Sequence, residues 1–189
     1  KDHGAAIGFD NLKGGAAGAR FLHDLGHRNF AMIAGVTKDN DRAKDRIDGF
    51  LAELGRLGHD TTKVAIVEAQ YKLENGRHAM GHLMKMPRRP TAVFCGSDIL
   101  AAGALKYCRA EGIKIPEDVS VMGFDNLEIA ELTTPELSTL EVPARSMGAF
   151  AAEYALLGTK KAAQDHSRAL DLRLIVRGRT GPRPPPASA

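Results

Sequence analysis

Four short apolar runs, Phe30–Gly35, Val64–Val67, Thr91–Gly96 and Val119–Phe124, are each followed by polar side chains of differing chemistry. Lys38, Asp39, Asn40, Asp41, Arg42 and, a turn further on, Arg46 follow the first run. Gln70 and Tyr71 follow the second, Ser97 and Asp98 the third, Asp125 and Asn126 the fourth. A guanidinium offers a fork of donors, and a carboxylate accepts from two hydroxyls or an N–H. A phenol ring stacks on a sugar or base. Arg46, Tyr71, Ser97 and Asp125, with Asn40 nearby, therefore form a set suited to a small polar ligand. For Arg46 alone a solvated or ion-paired role is equally open, and Asp98 also stands where it would cap the following helix.

The chemistry of an enzyme is not visible. There is no G-x-S-x-G, no phosphate loop and no Cys/His nucleophile setting. Gly14–Ala19 is glycine-rich but lacks a full G-x-G-x-x-G, and small residues there suit close helix packing. His23/His27 and His78/His82 have i,i+4 spacing without the Glu of a zinc-protease helix, so all are read as exposed histidines and no metal is expected. No cofactor is expected either.

The apolar runs read as strands, and the third is almost continuously apolar, as in a parallel sheet covered on both faces. Between them lie amphipathic helices. Ile47, Phe50, Leu51, Leu54 and Leu57 keep one buried face, ended by Gly58. Leu22 and Leu25, then Met80, Leu83 and Met84, then Leu100, Ala104 and Cys108, and last Met147, Ala151 and Tyr154 mark the others. This alternation predicts a doubly wound α/β sheet. Ligands bind such sheets beyond the carboxyl ends of the strands, where the polar set collects. The rhythm breaks after Asn126, as in a chain crossing between subdomains. Leu137–Val142 and Leu172–Val176 are further candidate strands.

The chain has 189 residues and a formal net charge of +3. Arg173, Arg177, Arg179 and Arg183 supply that excess, so the body is near neutral and its charge does not argue for a nucleic-acid-binding face. No apolar run is long enough to span a membrane, and the start KDHGAAIGFDN has no leader pattern. Cys95 and Cys108 are read as free thiols of a reducing compartment. The proline-rich stretch 178–189 is read as a disordered or draped terminus.

"PTAVFCGSDILAAGAL" at 90–105 followed by "GIKIPEDVSVMGFDN" resembles the effector-binding core of lactose-repressor/galactose-repressor type bacterial regulators. "LGHRNFAMIAG", "RIDGFLAEL", "LTTPELSTLEVP" and "LIVRGRTG" fall in the same order, and around Pro90–Asp98 the purine repressor is a particularly close look-alike. The resemblance implies a two-lobed, periplasmic-binding-protein-like α/β fold with parallel sheets flanked by helices, three crossovers and an effector in the cleft. The first lobe is incomplete in this sequence. Residues 1–29 and 127–160 would be its remainder, 30–126 and 165–181 the second lobe, and 182–189 a flexible tail. Leu137–Val142 would return to the first lobe and Leu172–Val176 to the second.

By the same resemblance Arg46 and Asp125 are effector contacts, Tyr71 is a stacking ring, and Ser97 sits where sugar-responsive members often carry Asn. Asn40 stands where the purine repressor has Arg, so a purine is not supported. A sugar or related polyol is the expected effector, with a nucleobase second. The resemblance further implies a cytoplasmic homodimeric repressor that binds operator DNA through an amino-terminal head not visible in this sequence. A periplasmic sugar-binding protein of a transporter is the alternative.

Overall fold

The computed structural model describes residues 6–156 and 168–184. In chain order the elements are β1 (Ile7–Phe9), α1 (Asn11–Asp24), β2 (Phe30–Gly35), α2 (Asp41–Arg56), β3 (Ala65–Ala69), α3 (Leu73–Met84), β4 (Ala92–Cys95) and α4 (Asp98–Ala110). Then follow β5 (Ser120–Asp125), α5 (Glu128–Glu131), β6 (Ser138–Glu141), α6 (Ala144–Leu156), β7 (Arg168–Leu170) and β8 (Arg173–Ile175). A six-stranded sheet has the order β3-β2-β4-β5-β6-β8, parallel except for β8, which runs antiparallel to β6. β1 and β7 form a separate two-stranded parallel sheet.

Every residue of β2 and β4 is buried, which explains their unbroken apolar sequences. Successive side chains point to opposite faces. Met32, Phe94, Met122 and Phe124 meet Leu22, Phe50 and Leu54 on one side of the sheet. Ile33, Val93 and Val121 meet Met80, Leu83, Leu100 and Cys108 on the other. α1 packs on α2, and α3 on α4, with backbones close together. A Cβ on Gly15 would come within 2.1 Å of the Arg46 carbonyl oxygen, and one on Gly103 within 2.0 Å of the Leu73 oxygen. The glycine-rich start of α1 is thus a helix-packing surface.

Three placements differ from the sequence expectation. Ser138–Glu141 does not return to a first lobe; it pairs with β5 inside the six-stranded sheet, and buried Leu140 joins the Phe124 core. α1 belongs with the same sheet, because its small residues fit α2. The break after Asn126 is the short helix α5, whose Ala130 is buried against the α4 side. Outside the large sheet remain β1, β7 and α6, and the chain passes between the two sheets after Phe9, Glu141 and Leu170.

His27, expected at the surface, is fully buried. Its Nε2 lies 3.1 Å from the Gly181 carbonyl oxygen and its Nδ1 3.0 Å from Thr91 Oγ1. A carbonyl only accepts, so Nε2 carries the proton and Nδ1 accepts from Thr91. Burial lowers the His27 pKa. This network drapes the carboxyl-terminal segment over the amino ends of the strands. The Val121 N–H donates to the Arg179 carbonyl at 2.9 Å, and the Arg183 N–H to that of Leu25 at 3.0 Å. The flexible tail expected from 182 is therefore anchored at Arg183. Residues 185–189, and the expected first-lobe boundary near 160, lie outside the described residues.

Candidate effector site

Strand order reverses between β2 and β4, since β3 lies on the far side of β2. At such a switch point the loops diverge to opposite faces and leave a crevice at the carboxyl ends of the strands. Gly35 ends β2 at this crevice, and Gly96 and Ser97 follow β4.

Arg46 projects from the second turn of α2 and is buried, with 6% of its surface exposed. Its Nε and Nη2 donate to Asn11 Oδ1 at 3.2 and 2.8 Å, and its Nη1 donates to the Gly96 carbonyl. The guanidinium lies 3.8 Å above the centroid of the Phe124 ring. Among the described residues three of its five N–H groups have acceptors, and one on each Nη has none. Burial lowers the Arg46 pKa, opposed by the nearby Tyr71 phenol and Asp125 carboxyl.

Asp125 ends β5 with φ of +105°, and Asn126 follows at +55°. A non-glycine residue at such φ is strained and must be held by its surroundings. Ser97 stands beside the Asp125 carboxyl and caps α4, its Oγ accepting from the Ile99 N–H at 3.2 Å. Burial pushes the Asp125 pKa up to about 6; Arg46 opposes the shift, Asp98 adds to it, and Ser97 opposes it.

Asp98 does not cap α4, because Ser97 does. The fully buried Asp98 carboxylate accepts from the Leu127 N–H at 2.7 Å and from Thr139 Oγ1 at 2.7 Å. It braces the loop that carries Asp125. A Cβ on Gly123 would lie 2.0 Å from Asp98 Oδ1, so β5 admits only glycine there. Burial pushes the Asp98 pKa up to about 6 as well.

Tyr71 is half exposed at the turn after β3, with its phenol lying against Gly35. Asn40 is spent on the backbone. It caps α2, its Oδ1 accepting from the Ala43 N–H at 3.3 Å while its Nδ2 donates to the Val36 carbonyl at 3.2 Å. The structure thus brings Arg46, Ser97 and Asp125 together at the carboxyl ends of β4 and β5, with Tyr71 against Gly35 at the end of β2, and turns Asn40 to helix capping. Sequence reasoning missed Asn11, the Gly96 carbonyl and the Phe124 ring as supports of Arg46. Phe124 lies in the GIKIPEDVSVMGFDN motif, but only the fold brings it and Asn11 to the guanidinium.

Among the described residues no cluster of three or more His, Cys, Asp or Glu is placed to hold a metal ion. No described helix is long and apolar enough to cross a membrane.

The periplasmic binding protein-like domain family matches residues 19–180. The chain is 34% identical over 178 residues to the HTH-type transcriptional repressor CytR of Escherichia coli (strain K12), covering 92% of this chain and 51% of that protein. It is 38% identical over 137 residues to the repressor PurR of Shigella dysenteriae, covering 72% of this chain and 40% of that one. The crystal structure of a LacI family regulator from Enterococcus faecium with bound ribose superposes with a TM-score of 0.84 at 26% identity, covering 94% of this chain and 65% of that one. The chain belongs to the periplasmic binding protein-like domain family, as an effector-binding core of the lactose-repressor/galactose-repressor type. It spans about half the length, or less, of these two curated relatives.

Proposed function

We propose that this chain is the sensing core of a ligand-responsive transcriptional repressor. The observation that carries this reading is the seating of Arg46 over the ring of Phe124, next to Asp125, where the strand order reverses, with one N–H on each Nη free of acceptors among the described residues. One buried cation beside one half-buried acid suits a neutral, polyhydroxyl ligand. A sugar or related polyol is the first choice and a nucleobase the second; the ribose bound by the Enterococcus faecium regulator supports the first. Tyr71 would close over the ligand, and Ser97 would keep the Asp125 carboxylate aimed at it.

β1, β7 and α6 would be the remainder of a first lobe, and the six-stranded sheet with α1 to α5 the second. Ligand bridging the lobes shifts their closure equilibrium only by its differential affinity for the two forms. Operator DNA would be bound through a segment outside this chain, in a cytoplasmic homodimer without enzymatic activity. For self-association the exposed face of α4 and α5 is favoured. There Leu132 is 81% exposed at the edge of a cavity whose lining mixes Ala102, Leu105, Ile113 and Ile115 with charged side chains. A projecting leucine beside a hollow with an apolar floor and a rim of Lys106, Arg109, Lys114 and Glu117 can pair with its own copy under a twofold axis. The rival reading, a periplasmic sugar-binding protein, shares the fold, but the repressor relatives favour the regulator.

The test is calorimetry of the full-length protein against ribose, other sugars and nucleosides. Wild type binds one of them, and Arg46→Ala and Asp125→Ala each lose roughly tenfold or more, as expected when a charged hydrogen-bonding group is removed. Binding unaffected by either change refutes the site, and an empty panel refutes the ligand class.

A further inference from the structure

Arg177 lies in the segment after β8, away from Arg46, and its side chain is only 13% exposed. All three guanidinium nitrogens are engaged. Nη1 donates to Asn126 Oδ1 and to the Leu137 carbonyl, each at 3.0 Å. Nη2 lies 3.3 Å from Glu131 Oε1 in α5, and Nε 2.9 Å from Glu136 Oε2 in the turn before β6. Glu131 immediately precedes the exposed Leu132.

At the other end of this fork, Asn126 is clamped twice. Its Oδ1 takes the Arg177 bond and its Nδ2 donates to Glu141 Oε1 at 3.2 Å. Asn126 directly follows Asp125, and both hold left-handed backbone. Such a backbone persists only where its neighbours over-determine it. The Asn126 clamp and the Asp98–Leu127 bond supply that constraint.

We infer that Arg177 is a positioning residue that ties the aim of the Asp125 carboxylate to the α5 surface around Leu132, so that the effector crevice and that surface respond to one another. The inference rests on Asp125 being the effector contact proposed above. Linkage makes the coupling reciprocal: whatever shifts α5 alters the crevice, and a ligand in the crevice alters α5 by the same free energy.

The test is a double-mutant cycle read at Asp125. In the intact protein, carbon-13 NMR follows the titration of the Asp125 carboxyl while Glu131→Gln and Arg177→Lys are made singly and together. Glu131→Gln alone moves the Asp125 midpoint by about 0.4 pH unit or more, the lower end of coupling within one network. Arg177→Lys keeps the charge but not the fork, so in that background the response to Glu131→Gln disappears. Asn126→Ala removes the link to the crevice loop while sparing the bonds to α5, and it erases the response in the same way. A response that persists undiminished in the Arg177→Lys or the Asn126→Ala background is through-space electrostatics and overturns the inference, as does no response in the wild-type background. No effector is used, so these outcomes are separate from whether the calorimetric panel contains a ligand.

Discussion

The guanidinium of Arg46 rests 3.8 Å above the ring of Phe124, a residue of β5 that also lies 6.0 Å from the ring of Phe9. Phe9 ends the small sheet's β1, so one aromatic ring touches both the element that leaves the small sheet and the cation of the crevice. A desolvated cation–π contact is worth ~2 kcal/mol. Phe124→Leu, which keeps most of the volume, is expected to lower effector affinity at least ~10-fold in calorimetry while Arg46 stays in place.

Asn11→Ala leaves two Arg46 N–H groups without their acceptor in a buried setting. Unsatisfied buried donors cost about 1–3 kcal/mol, more on a charged group. Urea denaturation is expected to show that loss, and Asn11→Asp is expected to restore stability better than Ala.

The pH dependence follows from Asp125 and Asp98, both pushed up to about 6 by burial. Their folded pKa values lie above the unfolded ones, so the folded state holds protons that the unfolded chain has released. The stability they contribute is present in acid and lost as pH rises from about 4 to about 6. Binding of a hydroxyl donor runs the opposite way, because it needs the carboxylate. Effector affinity is expected to rise across an apparent midpoint near 6, and Asp125→Asn to flatten that midpoint.

Gly35→Ala would put a Cβ 2.0 Å from the Tyr71 phenol oxygen. The obstacle is the end of a half-exposed side chain, so the ring swings away. The expected outcome is a stability change within ~1 kcal/mol with a clear loss of effector affinity, measured by thermal unfolding and calorimetry. Gly123→Ala, by contrast, drives a Cβ to 2.0 Å from the buried Asp98 carboxylate. It is expected to cost more than ~2 kcal/mol in the same unfolding measurement.

Leu132→Glu places a charge on the face proposed to self-associate, where the leucine is 81% exposed. Sedimentation is expected to shift from dimer to monomer, with far-ultraviolet circular dichroism unchanged. A monomeric wild type would remove that face from consideration.

Periodicity and composition, acting locally, determined the strand and helix types. Buried runs such as Ala92–Cys95 announce a covered parallel sheet, and residues Phe50 and Leu54 a one-sided helix. Gly58, with φ of +83°, ends its helix as the sequence led one to expect. The polar residues beyond the strands were legible for the same reason, since each follows its own strand by a turn. What only the tertiary structure decided depends on residues distant in sequence. That Ser138–Glu141 joins the large sheet is set by pairing with β5, and that Asn11 and Phe124 grip Arg46 is set by packing across three elements. The burial of His27 required Thr91 and Gly181 to converge on it, separated from it by 64 and 154 positions. Local pattern carries no record of which strand lies beside which; pairing and burial are properties of the assembled chain.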